Sequence, residues 1–242
     1  MRTLPFLFVT VVSGAIAGTI LGLINLGVVE PFIDKAIELE IQNDIQAGQT
    51  VNMNEITDYR TWQKGGEIVG GLVYGISLSS LFGIVFAYSR KSLPGNNAKL
   101  KAIFLASIMC LVLFIVPALK YPSNPPAVGE PNTIYYRQSL FVAFLVISGL
   151  SALGVAVLVK KLNQTVPKKM VIACATYGAI MIISYIVMPS NPDKIPISMN
   201  LIETFRLVSA GTIVMFWGVL GLIFGTLWLR FDPHNFEKIT AF

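Results

Sequence analysis

The sequence predicts an all-α integral membrane protein, a bundle of six transmembrane helices with an outer amphipathic helix after the first span. Two observations predict this class. Of the 242 residues, 54% are hydrophobic and only 13% are charged, whereas soluble domains carry about 25% charged residues. The apolar residues are also gathered into six long runs. We therefore expect a single transmembrane domain over residues 1–242.

Each apolar run is long enough to be a helix that crosses the bilayer, which takes about 20 predominantly apolar residues. The first run follows Arg2, but it is too long for the core of a signal peptide. It also ends at Glu30-Pro31 without a small-residue cleavage pattern, so we expect it to be retained. The predicted spans cover about 4–29, 68–88, 102–119, 139–159, 170–188 and 207–229.

The loops differ in charge, and this difference predicts the orientation of the bundle in a cell membrane. The second and fourth loops are basic and contain no acidic residue, whereas 11 of the 13 acidic residues fall on the opposite side. Because short cytoplasmic loops are rich in Lys and Arg, we expect the basic side, with both termini, to be cytoplasmic. The net charge of +5 is then a topology signal and predicts no nucleic-acid partner. The basic side carries Arg2, Arg90, Lys91, Lys99, Lys101, Lys160, Lys161, Lys168, Lys169, Arg230 and Lys238.

The first outer loop contains the pattern of an amphipathic helix. Pro31 suits a first helical position, and Gly48 ends an isoleucine repeat with a spacing of four residues. Glu30, Asp34 and Glu38 share that spacing, so their carboxylates lie on an adjacent face, where like charges repel mildly. A divalent cation bound by these oxygens would relieve the repulsion; a solvated acidic face is the alternative. The repeat consists of Ile33, Ile37, Ile41 and Ile45.

The segment between the third and fourth spans, residues 120–133, is rich in proline and is expected to be stiff. Proline fixes φ and lacks the amide hydrogen, so the segment is neither helix nor inner strand. Its Ser123-Asn124-Pro125 turn is echoed by Ser190-Asn191-Pro192 after the fifth span. We interpret the segment as a rigid cap over the outer mouth. Residues expected to hold or gate it are Lys120, Tyr121, Asn124, Pro125, Pro126, Arg137, Asn191 and Arg206.

A few ionisable residues lie near the ends of spans. Glu67 stands at the start of the second span, and Glu203 and Arg206 precede the sixth, three residues apart, where they can pair. Charged groups at membrane depth are costly and are therefore functional candidates. A position in the headgroup layer is the alternative for all three.

Other motifs restrict the chemistry. Cys110 and Cys174 lie in apolar runs and are expected to be small core residues, not a disulfide. The single histidine, His234, excludes a histidine-built metal site and His-dependent hydrolytic triads. P-loop, Gly-x-Ser-x-Gly, Cys-x-x-Cys and His-Glu-x-x-His motifs are absent, so we expect no enzyme. Glycines spaced by four, as in 14–22, predict close helix contacts, either within the chain or at a dimer face.

Several segments of the sequence resemble those of a known family. LKYPSNPPAVGE (Leu119 to Glu130) resembles the signature loop of the CbtA family of predicted cobalt-transporter subunits. Further pieces follow in the family's order. They are EPFIDKAIELE (Glu30 to Glu40), KGG (Lys64 to Gly66), VYG (Val73 to Gly75), FRLVSAGT (Phe205 to Thr212) and WGVLGLIFG (Trp217 to Gly225). The resemblance implies a role in cobalt uptake linked to cobalamin synthesis, beside a small single-span subunit with a histidine-rich end. Family members are sometimes drawn with five spans, whereas six are predicted here.

The leading hypothesis is a membrane subunit of a divalent metal uptake system, with cobalt as cargo and no permanently bound cofactor. Candidate metal ligands are Glu30, Asp34, Glu38, Glu67 and Glu203. The alternative is a non-transporting accessory or assembly subunit of a larger membrane complex, because polar residues at the midplane are few. The lipid bilayer and a homo- or hetero-oligomer are the other expected partners. An anion-binding membrane enzyme is disfavoured, since no nucleophile–base pair accompanies the basic and tyrosine residues of 120–137.

Overall fold

A computed structural model describes residues 2–193, 195–231 and 233. In these ranges the regular structure is entirely helical, and six segments are long and apolar enough to span a membrane, which confirms the predicted class. The spans are Thr3–Val28, Met53–Ser89, Ala98–Lys120, Pro131–Lys161, Val166–Val187 and Met199–Phe231. His234 and Lys238 lie outside the described residues. We call the end with residues 90–101 inner and the opposite end outer, following the predicted orientation, which stays a prediction.

Three helices, those of the second, fourth and sixth spans, extend beyond the predicted apolar runs at the outer end. The second span begins at Met53, where the Asn52 side chain accepts hydrogen bonds from the amides of Asn54 (3.2 Å) and Glu55 (3.4 Å). Its 37 residues measure about 55 Å, well beyond the hydrocarbon thickness, so its first turns project outward. The α-helices are α1 (Thr3–Val28), α2 (Glu30–Gln46), α3 (Met53–Ser89), α4 (Ala98–Cys110), α5 (Val116–Lys120), α6 (Ile134–Lys161), α7 (Val166–Val187) and α8 (Met199–Phe231). The segment predicted to be the outer helix is thus helical; its amphipathic placement at the membrane surface stays a prediction.

Helices α1, α3, α4 and α8 form the main core. Aromatic rings fill its inner half: Phe82 packs edge-on against Phe224 at 4.9 Å between centroids, and Phe86 against Trp228 at 4.9 Å. All four side chains are buried. This apolar plug separates the outer end of the bundle from the inner end.

The glycines spaced by four residues mediate close contacts between helices of the same chain. A Cβ on Gly14 would lie 2.5 Å from the carbonyl oxygen of Gly75, and a Cβ on Gly18 would lie closer still to the carbonyl oxygen of Gly71. Gly221 and Gly225 on α8 pack in the same way against α4. These contacts agree with intrachain packing, which lets helix backbones approach closely in a medium as apolar as their side chains.

Helices α6 and α7 form a hairpin that packs on the third span at a π-helical turn, Leu111–Ile115. In this turn Val116 donates to the carbonyl of Leu111. The next donor in the i→i+5 series would be Pro117, which has no amide hydrogen. Ser148 of α6 fills that place, donating to the Val112 carbonyl at 2.5 Å, and Tyr177 of α7 lies 2.7 Å from the same hydroxyl.

Both cysteines are free, so the expected absence of a disulfide between them agrees with the structure. Cys110 is buried in the main core, as predicted. Cys174 is exposed on α7, so the expectation that it is a core residue is wrong. The reason is the peripheral position of α7, since apolar side chains there face outward from the bundle.

Candidate functional site

A cavity of about 1020 Å³ at the outer end lies between α2, α3 and the loop that joins them. We call it the outer cavity. The isoleucine stripe of α2 lines one wall through Ile33, Ile37 and Ile41, whereas Ile45 is exposed. Aromatic residues of α3 form the opposite wall, and Pro126 of the proline-rich loop closes the lining. Its charged lining residues are Glu30, Glu40, Asp44, Glu55, Arg60 and Glu67.

Two predicted ligands, Glu30 and Asp34, are ion-paired with α3. Arg60 contacts the carboxylates of both, at 2.9 Å for Asp34, and Lys64 contacts Asp34 at 2.7 Å. Burial of the Asp34 carboxyl acts to raise its pKa, but hydrogen bonds and charge from Lys64 and Arg60 outweigh burial and lower it. The repulsion predicted along α2 is therefore relieved by two basic side chains. A signal was present: Arg60 and Lys64 repeat the four-residue spacing of Glu30 and Asp34.

Glu38 and Glu203 lie away from the cavity. Glu38 is exposed and accepts a long hydrogen bond, 3.5 Å, from Gln42. Glu203 is exposed near the start of α8, and its expected partner Arg206 turns to the proline-rich loop. Within the described ranges no three Asp, Glu, His or Cys residues form a group that could hold a metal ion. The five predicted ligands are not brought together.

Glu67 occupies the floor of the outer cavity, beside Glu30 and Asn25. The Oε2 atom of Glu67 and the Oδ1 atom of Asn25 are buried and have no hydrogen-bond partner among the described residues. Buried oxygens without a donor are uncommon because they lose hydration without compensation. Glu67 therefore brings to the cavity lining one carboxylate oxygen that a cation or a water molecule would satisfy.

Sequence reasoning missed three acidic residues of the cavity: Glu40, Asp44 and Glu55. Burial and the neighbouring charge of Asp44 raise the pKa of Glu40, although the amide of Ala127 donates to its carboxylate and partly offsets them. Ala127 has φ of 66°, a conformation that residues with a Cβ rarely adopt. Glu40 thus joins α2 to a constrained point of the proline-rich loop.

The proline-rich loop is held on two sides. Tyr121 donates to the carbonyl of Pro189 at 2.5 Å, across to the connection between α7 and α8. From α8, Arg206 donates to Asn124 Oδ1 through Nη2 at 2.6 Å and Nε at 3.2 Å. Pro125, which follows Asn124 in the chain, is buried.

A second set of contacts fixes the end of the loop. Arg137 Nε lies 2.7 Å from Asp193 Oδ2, and the Asp193 carboxylate also accepts from Thr133 at 2.8 Å. Gly129 has φ of +101°, and a Cβ there would lie 2.5 Å from the Arg137 guanidinium carbon. Asn191 Oδ1 accepts from the Asp193 amide at 3.1 Å. We call Arg137, Asp193 and Thr133 the loop clasp; Asp193 was not predicted from the sequence.

Lys120, the remaining predicted loop residue, lies over the rings of two tyrosines, Tyr121 and Tyr185. Its ammonium nitrogen lies 4.5 Å from the ring centroid of Tyr185 on α7 and 5.9 Å from that of Tyr121. Cation–π contacts of this length add to the attachment of the loop to the α6–α7 hairpin.

The family model described as "Probable cobalt transporter subunit (CbtA)" matches residues 4–229, nearly the whole chain. The chain belongs to the CbtA family. Neither a curated protein nor a solved structure matches it. A multi-pass membrane protein with six candidate spans therefore carries the sequence of a probable cobalt transporter subunit.

Proposed function

We propose that this CbtA-family chain is the membrane subunit of an uptake system for a divalent metal, cobalt, and that the outer cavity is where the ion is collected. The observation that carries the proposal is the charge of the cavity. Its lining holds five carboxylates against the single cation Arg60. A cleft lined by one sign of charge raises the local concentration of counter-ions by about 10-fold or more.

The carboxylates of the cavity differ in availability. Glu30 is neutralised by Arg60, as is its neighbour Asp34 outside the lining, which also pairs with Lys64, so a metal would have to displace a basic side chain to reach either. Glu67, Glu55 and Asp44 form no ion pair with a described residue. We assign the collecting role to these three, with Glu67 nearest the bundle, and a structural role to Glu30 and Asp34.

A loose set of oxygens suits transport, because an ion must enter and leave its sites. Carboxylates and water are suitable ligands for hard divalent ions. They discriminate poorly among transition metals. Selection of cobalt then falls to a partner subunit, which is consistent with a chain whose one histidine, His234, belongs to the C-terminal tail. The loop clasp, with Lys120, Tyr121, Asn124 and Arg206, would keep the cap in place or release it.

Cobalt accumulation in cells that express the chain with its partner subunits tests the proposal. The double variant Glu55→Gln/Glu67→Gln removes two cavity charges and should lower accumulation about 10-fold. The matched control Glu38→Gln/Glu203→Gln removes two charges of the same type from exposed positions outside the cavity, and it should accumulate cobalt as the native chain does. Glu30→Gln is avoided because it leaves the half-buried Arg60 short of a partner.

The non-transporting accessory role remains the second candidate, and one observation favours it. The aromatic plug of Phe82, Phe86, Phe224 and Trp228 fills the inner half of the core, so no polar path leads inward from the cavity through these residues. Equal accumulation by the cavity variant and its control would reject the collecting route. If accumulation nevertheless required the chain to be present, the accessory role would be supported.

A further inference from the structure

A second cavity, about 200 Å³, lies at the inner end of the bundle and has no part in the proposed metal route. It sits where α3 ends at Ser89 and α4 begins at Ala98, with α8 alongside. Because both boundaries are the ends of membrane spans, the cavity lies at the height of the lipid headgroups. Its lining consists of Phe86, Arg90, Lys91, Asn96, Asn97, Ala98, Lys101 and Trp228. We call it the inner basic cavity.

Positive charge converges on this cavity. Arg90, Lys91 and Lys101 line it, and residues 89–101 contain no acidic side chain. Within the described part of the chain, none of the three forms a salt bridge. Helix α4 starts at the same place, and its positive dipole end adds to the field. At that end the side chain of Asn97 accepts a hydrogen bond from one amide only, that of Leu100, at 2.9 Å.

The opposite wall is apolar. Phe86 is fully buried and Trp228 nearly so, with ring centroids 4.9 Å apart. A soluble anion gains nothing from an aromatic wall, whereas a lipid presents a phosphate next to its glycerol and acyl chains. The volume also falls below the roughly 300–1000 Å³ typical of sites for whole small molecules, so it fits a headgroup fragment.

We propose that the inner basic cavity binds the phosphate group of an anionic phospholipid of the surrounding bilayer. Arg90 and Lys101, which are half-buried, would hold the phosphate, and the exposed Lys91 would screen it from water. Trp228, which keeps a small exposed surface, would contact the glycerol region, with Phe86 packed against its ring. Basic pockets between transmembrane helices are a recognised means of binding such headgroups.

The test is thermal unfolding of the full chain in an uncharged detergent, titrated with phosphatidylglycerol, phosphatidylcholine or inorganic phosphate. A ligand that binds only the folded state raises the unfolding temperature, and the rise grows with the logarithm of the ligand concentration above the dissociation constant. Phosphatidylglycerol should stabilise the native chain, and the other two should not. Arg90→Gln/Lys101→Gln should need at least about 10-fold more phosphatidylglycerol than the native chain for the same rise in unfolding temperature. The control Lys160→Gln/Lys161→Gln changes the same charge on exposed residues of the other basic loop and should titrate as the native chain does.

Three results would overturn the proposal. An equal shift in both double variants would mean general attraction to a basic surface. An unchanged titration of Arg90→Gln/Lys101→Gln would place lipid binding elsewhere. Equal stabilisation by inorganic phosphate would make the site one for a free anion. If the double variant does not fold, Lys91→Gln alone, at an exposed position, serves in its place with a smaller expected shift.

Discussion

Two spans of this protein, α1 and α7, have nearly the same hydropathy but differ greatly in how much of their surface is buried. The mean hydropathy of the most apolar window is 2.2 in α1 and 2.1 in α7, yet 44% of that window is buried in α1 and only 6% in α7. The difference lies in the small residues. Helix α1 presents Gly14, Gly18 and Gly22 to α3, whereas Gly178 of α7 has no atom within 4 Å of where its Cβ would stand. In a membrane, hydropathy shows that a helix spans, and spacing of small residues shows which helices pack.

The two regions are also held by different forces. Close backbone contacts join α1 and α3, while the α6–α7 hairpin is attached through hydroxyls, from Ser148 to Val112 and from Tyr121 to Pro189. The proline-rich loop touches both regions, since Arg206 of the core helix α8 reaches Asn124. A substitution in the core should therefore affect the loop through Arg206, and one in the hairpin should affect it through the contact between Tyr121 and Pro189.

The largest expected effect comes from filling the α1–α3 contact. Gly18→Leu places a side chain against the backbone of Gly71 and Gly75, and overpacking of this kind costs about 3 kcal/mol or more. We expect loss of the folded protein in detergent, measured by thermal unfolding and size-exclusion chromatography. Gly178→Leu makes the same substitution at an open position of α7 and should leave the unfolding temperature nearly unchanged. Equal loss in both variants would contradict the difference between the two regions.

The loop clasp should give the next largest effect. The Asp193 side chain is only 2% exposed and Arg137 is 23% exposed, so Asp193→Ala leaves a partly buried guanidinium without its carboxylate. We expect destabilisation by about 2–3 kcal/mol and faster proteolysis in residues 121–130. Asp58→Ala, in an exposed turn of α3, removes the same side chain from a position without an ion pair among the described residues and serves as control. Unchanged proteolysis of Asp193→Ala would show that the clasp does not hold the loop.

The fold was largely predictable because length and hydropathy determine spans. The cavity was not. Glu40, Asp44 and Glu55 are ordinary acidic residues until α2 folds against α3, and a helical period alone does not show which face meets which neighbour. The same limit hid Asp193, whose partner Arg137 is far away in sequence. The π-helical turn was hidden for another reason: its irregularity depends on Ser148, a residue of a different helix.

A smaller effect should follow from removing the hydroxyl at that turn. Ser148→Ala leaves the Val112 carbonyl without its donor, and hydrogen bonds between transmembrane helices contribute about 0.6–2 kcal/mol. We expect a decrease of that size in the free energy of unfolding, measured in detergent. Ser139→Ala, in an exposed turn of α6 where the hydroxyl bonds only within its own helix, should change it by less. A larger loss in Ser139→Ala would reject the attachment of the hairpin through Ser148.

The smallest expected effect is the pH dependence of the α2–α3 ion pairs. Because Lys64 and Arg60 lower the pKa of Asp34, the ionised carboxylate stabilises the folded state. That contribution is complete above the unfolded-state pKa of about 3.9 and is lost as the pH falls through the lower folded-state pKa. With the Asp34 side chain 47% exposed, screening limits it to a few tenths of a kcal/mol. The difference in unfolding temperature between the native chain and Asp34→Asn should be constant near neutral pH, shrink below about pH 4, and weaken at high salt. A difference that grows on acidification would show that the pairs with Arg60 and Lys64 do not stabilise this end of the bundle.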